Sequence, residues 1–564
     1  MSTKLLVLLA LVLVCALGHK DYERDEDLPH RWRDTDYQNN RIANEQHEMN
    51  EIAHSFRRVL REGKSTGCKD CELAAQIFFE IGQNKAALND TTGALLRDAC
   101  VDMFRNSTFD LDICFDVVGT LVVLVNKGLV LLNGWQVDFK EVVCADFLFY
   151  CVKPCCLLPY APEQVRLSYR DSNPVGNSTA MSVGWVTLKQ TPDAVVEWWT
   201  PSTPKSTNNA SWNTYNHGGW IGIIHNATMS SLTADTLYTY RVGSDALGWS
   251  QEFTFKTLPL NIGTAERPLR VIGIADMGWA EAAQPTIAAI QAMVNNGTVD
   301  FVIHPGDIGY ADGNEAWWDV FGREMEPITS RIPYMTVIGN HESIWWNGTG
   351  YKERWFRPDA NMGAPSDSTF YQLNVGPVTF MMLDSETAWN TADYGQAQLN
   401  WMQLAFNDAR SNGQLIFAAH HRPFYCSSNA IVDCTTLAVN LRSQAEALYK
   451  ATGVSTVMCG HVHNYERTFP VYDNITDVNS TYSNVADPYY IVNGAAGNRE
   501  GTSNFYTTSN LWSAVRLENI GYTVLEFVRQ GGEDTFNMRF IDSASGQLLD
   551  QVILTKNVTT SQRH

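Results

Sequence analysis

The stretch Gly460–Arg467 carries two histidines separated by one residue, His461 and His463. In an extended segment, residues two apart point to the same side, so both imidazoles can face one metal site. Imidazole suits iron and zinc as a ligand. A His-x-His pair on its own fits a solvated polar loop equally well. Its meaning therefore depends on the other ligand-rich segments of the chain.

Four such segments lie upstream, and each follows an apolar run typical of a buried strand. They are Asp276-Met-Gly278, Gly306-Asp-Ile-Gly-Tyr310, Gly339-Asn-His-Glu342 and His420-His-Arg-Pro423. Each segment alone could have a purely structural role, such as a helix cap or a turn. It is very unlikely that all of these segments have only such roles, in order and each at the end of a strand. Sites in open α/β sheets form at the carboxyl ends of strands. We therefore expect the five segments to meet at one edge of a sheet.

The candidate ligands are two carboxylates, a phenol, an amide and three imidazoles: Asp276, Asp307, Tyr310, Asn340, His421, His461 and His463. These hard to borderline donors suit iron, zinc or manganese. One carboxylate can bridge two cations that lie about 3.5–4 Å apart, as in two-metal hydrolases. The set predicts a two-metal hydrolytic site.

The length of 564 residues predicts two or three domains. The formal net charge of −20 argues against nucleic acid as a partner, because a phosphate backbone needs a basic surface. Residues 1–18 have the pattern of a secretory signal peptide, with Lys4 ahead of a short apolar core. We therefore expect a secreted protein or one of the lysosomal or vacuolar lumen.

Sequons and cysteines agree with that compartment. Ten Asn-x-Ser/Thr sequons are candidate glycosylation sites, at Asn89, Asn106, Asn177, Asn209, Asn226, Asn296, Asn347, Asn474, Asn479 and Asn557. Eight of the 12 cysteines cluster between Cys68 and Cys156, which is typical of a disulfide framework. Cys426 and Cys434 flank a short loop and are a further candidate pair, whereas Cys459 is expected to be a buried thiol.

Composition divides the chain after the signal peptide into four parts. Residues 19–64 are rich in charge and predict a linker or propeptide. Residues 65–158 predict a small all-α, disulfide-rich domain. Residues 160–260 show short runs of alternating apolar and polar residues separated by turn residues, which predicts a fibronectin III-like β-sandwich. We expect this sandwich to be a packing or positioning module without catalytic residues. Residues 268–556 alternate apolar β-rich runs with helical patterns, which predicts an α/β domain with two sheets between helices (αββα).

The helical domain resembles saposin-like domains, which bind lipids. The resemblance implies nested disulfides: Cys71 with Cys144, Cys100 with Cys114, and Cys68 with Cys151, Cys155 or Cys156. It implies lipid or membrane-surface contact, and an inert pro-domain is the alternative.

The five ligand segments resemble the purple acid phosphatases, within the calcineurin-like metallophosphoesterases. The family pattern is Asp-x-Gly, Gly-Asp-x-x-Tyr, Gly-Asn-His-Asp/Glu, Val-x-x-His and Gly-His-x-His. This chain matches it except that Ala418 replaces the valine. Tyr310 makes the match specific, because most two-metal phosphoesterases lack it. The resemblance covers the β-sandwich and the α/β domain.

The resemblance implies a role for each ligand. Asp276, Tyr310 and His463 hold Fe³⁺, whereas Asn340, His421 and His461 hold Fe²⁺, Zn²⁺ or Mn²⁺. Asp307 bridges the two ions, and hydroxide bound to metal attacks phosphorus.

Three further residues have implied roles outside the ligand set. His341 faces the substrate, where it protonates the leaving alkoxide or hydrogen-bonds a phosphate oxygen. Glu466 and Arg467 orient the histidine loop. The plant enzymes have a further histidine where this chain has Asn429–Asp433, so substrate contacts on that side stay open.

The leading interpretation is an acid phosphatase that hydrolyses small phosphomonoesters. One alternative is a phosphodiesterase of the acid sphingomyelinase kind, which also joins a saposin-like unit to a metallophosphoesterase domain. The other is a lipid-binding protein with a vestigial site.

Overall fold

The computed structural model describes residues 153–558 apart from residues 157, 218–219, 387–393, 430–431, 477, 480 and 507–509. The predicted signal peptide, linker and saposin-like domain, with the cysteines from Cys68 to Cys151, lie outside the described residues. Most of the described chain belongs to one compact unit, which comprises Pro154–Tyr215 and Ile221–His564. No helix among the described residues is long and apolar enough to cross a membrane.

The region up to residue 260 is a β-sandwich. Its strands are, in chain order, β2 (Glu163–Tyr169), β3 (Thr179–Thr187), β4 (Val195–Trp199), β5 (Ser206–Asn209), β6 (Ser211–Asn213), β8 (Ile223–Leu232), β9 (Leu237–Ser244), β10 (Gly248–Trp249) and β11 (Phe253–Lys256). Two short strands, β1 (Lys153–Pro154) and β7 (Trp220–Ile221), pair with each other in a separate two-stranded sheet. One antiparallel sheet has the order β2-β3-β8-β6 and the other has β10-β9-β4-β5, with β11 also paired to β9.

Alternating side chains make these segments strands. In β4, Val196 and Trp198 are buried between half-buried neighbours, which is the period of two that a strand produces. In β9, Tyr238, Tyr240 and Val242 show the same alternation. The β-sandwich predicted from such runs is confirmed.

The α/β domain contains the remaining strands, several of which are buried along their whole length. They are β12 (Leu269–Gly273), β13 (Phe301–Pro305), β14 (Tyr334–Val337), β15 (Tyr371–Val375), β16 (Val378–Met382), β17 (Leu415–Ala419), β18 (Val454–Cys459), β19 (Tyr465–Thr468), β20 (Val471–Tyr472), β21 (Ile475–Thr476), β22 (Tyr489–Asn493), β23 (Ser513–Leu517), β24 (Gly521–Gln530), β25 (Glu533–Asp542) and β26 (Leu548–Asn557).

The helices of this domain are α1 (Gln284–Asn295), α2 (Ala316–Thr329), α3 (Asn340–Ser343), α4 (Thr349–Arg354), α5 (Gly395–Ser411) and α6 (Ala438–Thr452). Short 3-10 turns span Glu281–Ala283 and Trp346–Gly348, and a π-helical turn spans Asp433–Leu437. In α1, Ile287, Ile290 and Val294 are buried, which is the spacing of one helical face.

Two sheets face each other across the core. The first has the order β14-β13-β12-β24-β25-β26, in which β12, β13 and β14 are parallel. The second has the order β15-β16-β17-β18-β22-β19-β23, in which β16, β17, β18 and β22 are parallel. Apolar side chains from both inner faces, including Val271, Phe380 and Phe417, form one cluster.

Helices cover the outer faces of both sheets. α1 and α2 pack on the first sheet through a cluster that includes Ile290 and Phe321. α5 and α6 pack on the second sheet through a cluster that includes Phe406 and Tyr449. The predicted αββα layers are therefore present. The parallel strands of each sheet end at the same edge, which brings the turns after them together.

A buried polar network joins the β-sandwich to the α/β domain. The Nη1 of Arg354 donates to Oδ1 of Asp319 over 2.9 Å, and both side chains are almost fully buried. Nε2 of Gln164, from β2, donates to the same oxygen over 3.1 Å. Nε of Arg166, also from β2, donates to the Arg354 carbonyl over 2.6 Å. Buried side chains of β2 are thus hydrogen-bonded to residues of the α/β domain.

Replacing Arg354 with methionine should destabilise the protein, because the buried Asp319 carboxylate would lose the guanidinium that donates to it. Loss of one partner of a buried ion pair costs about 3–5 kcal/mol of unfolding free energy. The control is Lys205→Met, which removes an ion pair with Glu197 whose lysine is 44% exposed; such pairs contribute about 1 kcal/mol or less. Urea denaturation measures both variants. Equal, small losses would contradict the importance of this network.

Candidate metal centre

Five strand ends bring the candidate ligands to one edge of the α/β domain. Asp276 follows β12, Asp307 and Tyr310 follow β13, and Asn340 follows β14. On the second sheet, His421 follows β17, and the two histidines of the opening motif, His461 and His463, follow β18. All seven residues lie close together in the structure.

The turns that carry these ligands have unusual backbone geometry. Asp276, Asp307, Tyr310 and His461 have φ values of +56°, +51°, +48° and +69°. This left-handed region costs about 1–3 kcal/mol for a residue with a side chain. Such strain persists only where the surrounding structure enforces it. Here it turns each side chain away from its strand direction and toward the common centre.

Asp307, His421 and His461 form one group of donors whose ligand atoms lie within 4.8 Å of one another. Nε2 of His421 is 3.2 Å from Oδ2 of Asp307 and 2.8 Å from Oδ1 of Asn340. Asn340 therefore adds an amide oxygen to the group. The group offers two imidazoles, one carboxylate and one amide.

The His421 ring shows that a positive charge belongs in this group. Its Nδ1 lies 3.1 Å from the Pro305 carbonyl oxygen, which can only accept a hydrogen bond. Nδ1 therefore carries a proton, and a neutral ring would direct the Nε2 lone pair at the oxygens of Asn340 and Asp307. Burial alone lowers the pKa of His421, but the Asp307 carboxylate raises it to about 9. A proton or a metal ion must lie between these donors.

Asp276, Asp307 and His463 form a second group within the same 4.8 Å limit. The Tyr310 hydroxyl lies 3.2 Å from Nε2 of His463 and 3.4 Å from Oδ1 of Asp276. The phenol thus belongs to this group, whereas Asp307 is common to both groups.

Tyr310 ionises only if a strong cation binds it. Burial raises the pKa of Tyr310 well above its usual value, and the carboxylates of Asp276, Asp307 and Glu500 raise it further. A highly charged metal ion is the partner that reverses this effect.

One buried polar atom shows that these residues fit two metal ions. Oδ2 of Asp307 is buried and has no well-aligned hydrogen bond, although Nε2 of His421 lies 3.2 Å away. A buried carboxylate oxygen without a hydrogen bond is costly unless a cation is bound to it. This oxygen belongs to the carboxylate that the two groups share, so the donor set fits a bridged pair of ions.

His341 lies beside the shared carboxylate and is held by Asp312. Its Nδ1 is 2.6 Å from Oδ1 of Asp312, and its backbone N–H donates to Oδ1 of Asp307 over 3.0 Å. Its Nε2 is 3.5 Å from Oε1 of Glu500 and 3.8 Å from Oδ2 of Asp307. The second oxygen of Asp312 accepts a hydrogen bond from Arg499. Nε2 is therefore directed toward the centre.

Three family models match this chain. They are the purple acid phosphatase N-terminal domain over residues 162–257, the calcineurin-like phosphoesterase over residues 269–465, and the iron/zinc purple acid phosphatase-like protein C over residues 487–551. Acid phosphatase type 7 of Homo sapiens is 31% identical over 417 residues, which cover 70% of this chain and 90% of that protein. The chain belongs to the purple acid phosphatases. Members of this family use a dinuclear metal centre.

Two further relatives of this purple acid phosphatase are similar over much of its length. Probable inactive purple acid phosphatase 1 of Arabidopsis thaliana is 30% identical over 375 residues, covering 60% of this chain and 59% of that protein. The solved structure of a purple acid phosphatase from yellow lupin (Lupinus luteus) seeds has a TM-score of 0.62 at 24% identity, covering 71% of this chain and 75% of that one. The second likeness supports the fold.

Glu466 and Arg467 of the purple acid phosphatase contact neighbouring segments rather than the imidazoles. Glu466 accepts hydrogen bonds from the backbone N–H of Ser427, over 2.8 Å, and from the Ser513 hydroxyl. Arg467 forms a two-bond ion pair with Asp550, at 2.7 and 3.0 Å. Both residues therefore anchor the strand that follows the histidine loop.

Two histidines that follow or end strands are structural. His304 and His420 are buried, and burial lowers the pKa of each to about 3, so both rings are neutral. His304 shares a hydrogen bond with the Tyr334 hydroxyl over 2.7 Å, and Nδ1 of His420 donates to the Arg422 carbonyl over 2.8 Å.

The cysteines around the site include one disulfide pair and one free thiol. Cys426 and Cys434 form a disulfide, whereas Cys459 is a buried thiol. Far from the site, Cys155 and Cys156 are paired with each other. The sequence left both of them open as partners of Cys68.

The candidate glycan sites differ in access. The asparagines at 177, 209, 296, 347, 474, 479 and 557 are exposed. Asn226 lies within β8, and its Oδ1 is buried, which makes it the least accessible of the described candidates.

The sequence analysis assigned no role to several side chains that contact the site. Glu342 accepts hydrogen bonds from the N–H groups of Asp307, Ile308 and Gly339, each over 2.9 Å, and so ties two ligand turns together. Its position three residues after Gly339 is that of a capping-box glutamate, which was a usable signal. Arg499 and Glu500 follow β22, so a search of every strand end would have found them.

The glycine before Asp307 is required by close packing. Gly306 has φ +90°, and a Cβ there would lie 2.2 Å from Nδ1 of His421. Gly306→Ala should therefore displace the imidazole and weaken metal binding by roughly 10–100-fold, as loss of ligand orientation does. The control, Gly532→Ala, has a similar φ of +83° with nothing within 4 Å. It should lose about 1 kcal/mol of stability and keep its metal. Metal analysis of both purified variants makes the comparison, and equal metal content would contradict the packing argument.

Proposed function

We propose that this purple acid phosphatase hydrolyses phosphomonoesters with Fe³⁺ and a divalent ion, which is Fe²⁺, Zn²⁺ or Mn²⁺. This proposal rests on one observation. Two donor groups share the Asp307 carboxylate, and the Tyr310 phenol belongs to only one of them. The proposed Fe³⁺ ligands are Asp276, Asp307, Tyr310 and His463. The proposed ligands of the divalent ion are Asp307, Asn340, His421 and His461.

The difference between the groups supports two different ions. The first ion would be surrounded by two carboxylates and a phenolate, which favour a trivalent cation. The second would have one carboxylate, an amide and two imidazoles, a set that suits a divalent ion. When bound, the ions supply a water of lowered pKa as nucleophile and offset charge on the phosphoryl oxygens.

His341 is the proposed general acid. Burial alone lowers the pKa of His341, but the carboxylates of Asp312, Asp307 and Glu500 raise it to about 10. These carboxylates therefore favour the protonated form of the ring. With Nδ1 held by Asp312, the proton on Nε2 faces the centre and is available to the leaving alkoxide.

Two features support work in a secretory compartment. One is the disulfide between Cys426 and Cys434 beside the site. The other is the exposure of most described sequons. We accordingly propose a secreted, lysosomal or vacuolar glycoprotein.

A visible absorption spectrum with metal analysis on the same sample tests the proposed centre. We expect a broad visible band and two metals per chain, because phenolate bound to Fe³⁺ absorbs visible light. Tyr310→Phe should lose the band. Tyr449→Phe, which changes a buried tyrosine of α6, should keep it.

Hydrolysis assays separate the remaining interpretations. Activity on p-nitrophenyl phosphate is expected. A colourless two-zinc protein that cleaves sphingomyelin and not p-nitrophenyl phosphate would establish the phosphodiesterase instead. A folded protein that binds no metal would establish a vestigial site. The Arabidopsis relative is itself named a probable inactive purple acid phosphatase.

Asp312→Asn tests the role of His341. Without the Asp312 carboxylate, the His341 ring should lose the partner that orients it and favours its protonated form, so kcat should fall about 10²-fold with an alkyl phosphate. The fall should be much smaller with p-nitrophenyl phosphate, whose leaving group needs little protonation. Asp542→Asn, in a surface turn where Asp542 accepts from Ser545, is the control. An equal loss with both substrates would contradict proton donation by His341.

A further inference from the structure

We propose that Asp433 is a positioning residue for His461 and that the Cys426–Cys434 disulfide holds Asp433 in place. The disulfide would thereby act as an oxidative tether for the divalent site. This inference rests on the proposed function, because it concerns the ligand His461 of that centre.

The contact between Asp433 and His461 is direct. Oδ1 of Asp433 lies 2.9 Å from Nε2 of His461. Both side chains are mostly buried, with 28% and 13% of their surfaces exposed. Asp433 opens the π-helical turn that leads into α6, so it reaches the site from outside the five ligand segments.

The contact determines which nitrogen of His461 is left to bind metal. Nη1 of Arg422 lies 3.1 Å from Oδ1 of Asp433 and 3.1 Å from Nε2 of His461. If the unprotonated Nε2 accepted a hydrogen bond from Arg422, its lone pair would also face the Asp433 carboxylate oxygen at 2.9 Å, which is unfavourable. If Nε2 carries a proton, the carboxylate accepts from both partners. The second arrangement is favourable, and it leaves the lone pair of Nδ1 free for the metal.

Arg422, which donates to Asp433, is itself held by hydrogen bonds to neighbouring residues. Its Nε donates to both oxygens of Glu386, over 2.8 and 3.0 Å. Its backbone N–H donates to the Ser385 hydroxyl over 3.0 Å. Carboxylates that accept from a ligating histidine in this way fix the ring and raise its basicity.

The disulfide ties the aspartate to the histidine loop. Cys434 is the residue after Asp433, and its bond to Cys426 closes a separation of eight residues. Cys426 packs in one apolar cluster with Cys459 and Val462, and Cys434 packs against that cluster. Cys459 and Val462 flank the Gly460-His461 pair, so the bridge lies against the segment that carries the ligand.

Divalent-ion affinity of the full-length protein tests the proposal. The divalent ion is removed with a chelator, Zn²⁺ is added back in competition with a chelator of known affinity, and the visible band reports that Fe³⁺ stays bound. We expect Asp433→Ala to weaken Zn²⁺ binding by roughly 10–100-fold with the band retained. Asp433→Asn, which keeps an acceptor oxygen, should recover part of the affinity.

Two further variants complete the test. Asp487→Asn, an aspartate of similar exposure (31%) paired with Lys450, is the matched control and should bind Zn²⁺ like the wild type. The double variant Cys426→Ser with Cys434→Ser should weaken Zn²⁺ binding in the same direction as Asp433→Ala.

The outcomes separate the parts of the proposal. Unchanged Zn²⁺ affinity in Asp433→Ala would overturn it. Unchanged affinity in the double cysteine variant would overturn the tether while leaving the aspartate's role. A wild-type protein that takes up no Zn²⁺ would instead contradict the proposed two-metal function.

Discussion

The carboxylate of Asp307 is buried between two sheets and belongs to two donor groups at once. Asp276, Asp312 and Glu500 bring further carboxylates to the same small volume. Such a concentration of negative charge is tolerable only if positive charge accompanies it. The same carboxylates raise the pKa values of His421 and His341, which favours the positively charged form of both rings. The architecture around Asp307 therefore selects for cations, and it does so through burial.

The backbone also helps to place the candidate metal ligands. Four of the seven candidate ligands have left-handed φ, and Gly306 packs directly against a ligand ring. Glu342 then joins the turns after β13 and β14 through three backbone hydrogen bonds. A rigid edge built in this way holds donors at fixed distances before any ion arrives, which reduces the reorganisation that binding requires.

The convergence of the ligand segments could be predicted from the sequence, because each segment combines a buried strand with a short polar motif and strand ends meet in this class of fold. The β-sandwich and the layers of the α/β domain could be predicted as well. It did not reveal α2, although Trp318, Phe321, Met325 and Ile328 have helical spacing. It missed the partners that approach from elsewhere, such as Asp312, Arg499 and Asp433. Their roles depend on which loops pack together, and periodicity carries no information about that.

The order of strands in the first sheet has a consequence for biosynthesis. β12, the first strand of the α/β domain, is flanked by β13 and by β24, and Gly273 bonds to Thr523 across 250 positions of the chain. Until the last part of the chain has been made, one side of β12 has no partner strand and the sheet has an open interior edge. Completion of the fold therefore waits for the carboxyl-terminal strands. The strands β12, β13 and β14, after which Asp276, Asp307 and Asn340 follow, therefore complete their sheet only after the carboxyl-terminal strands have been made.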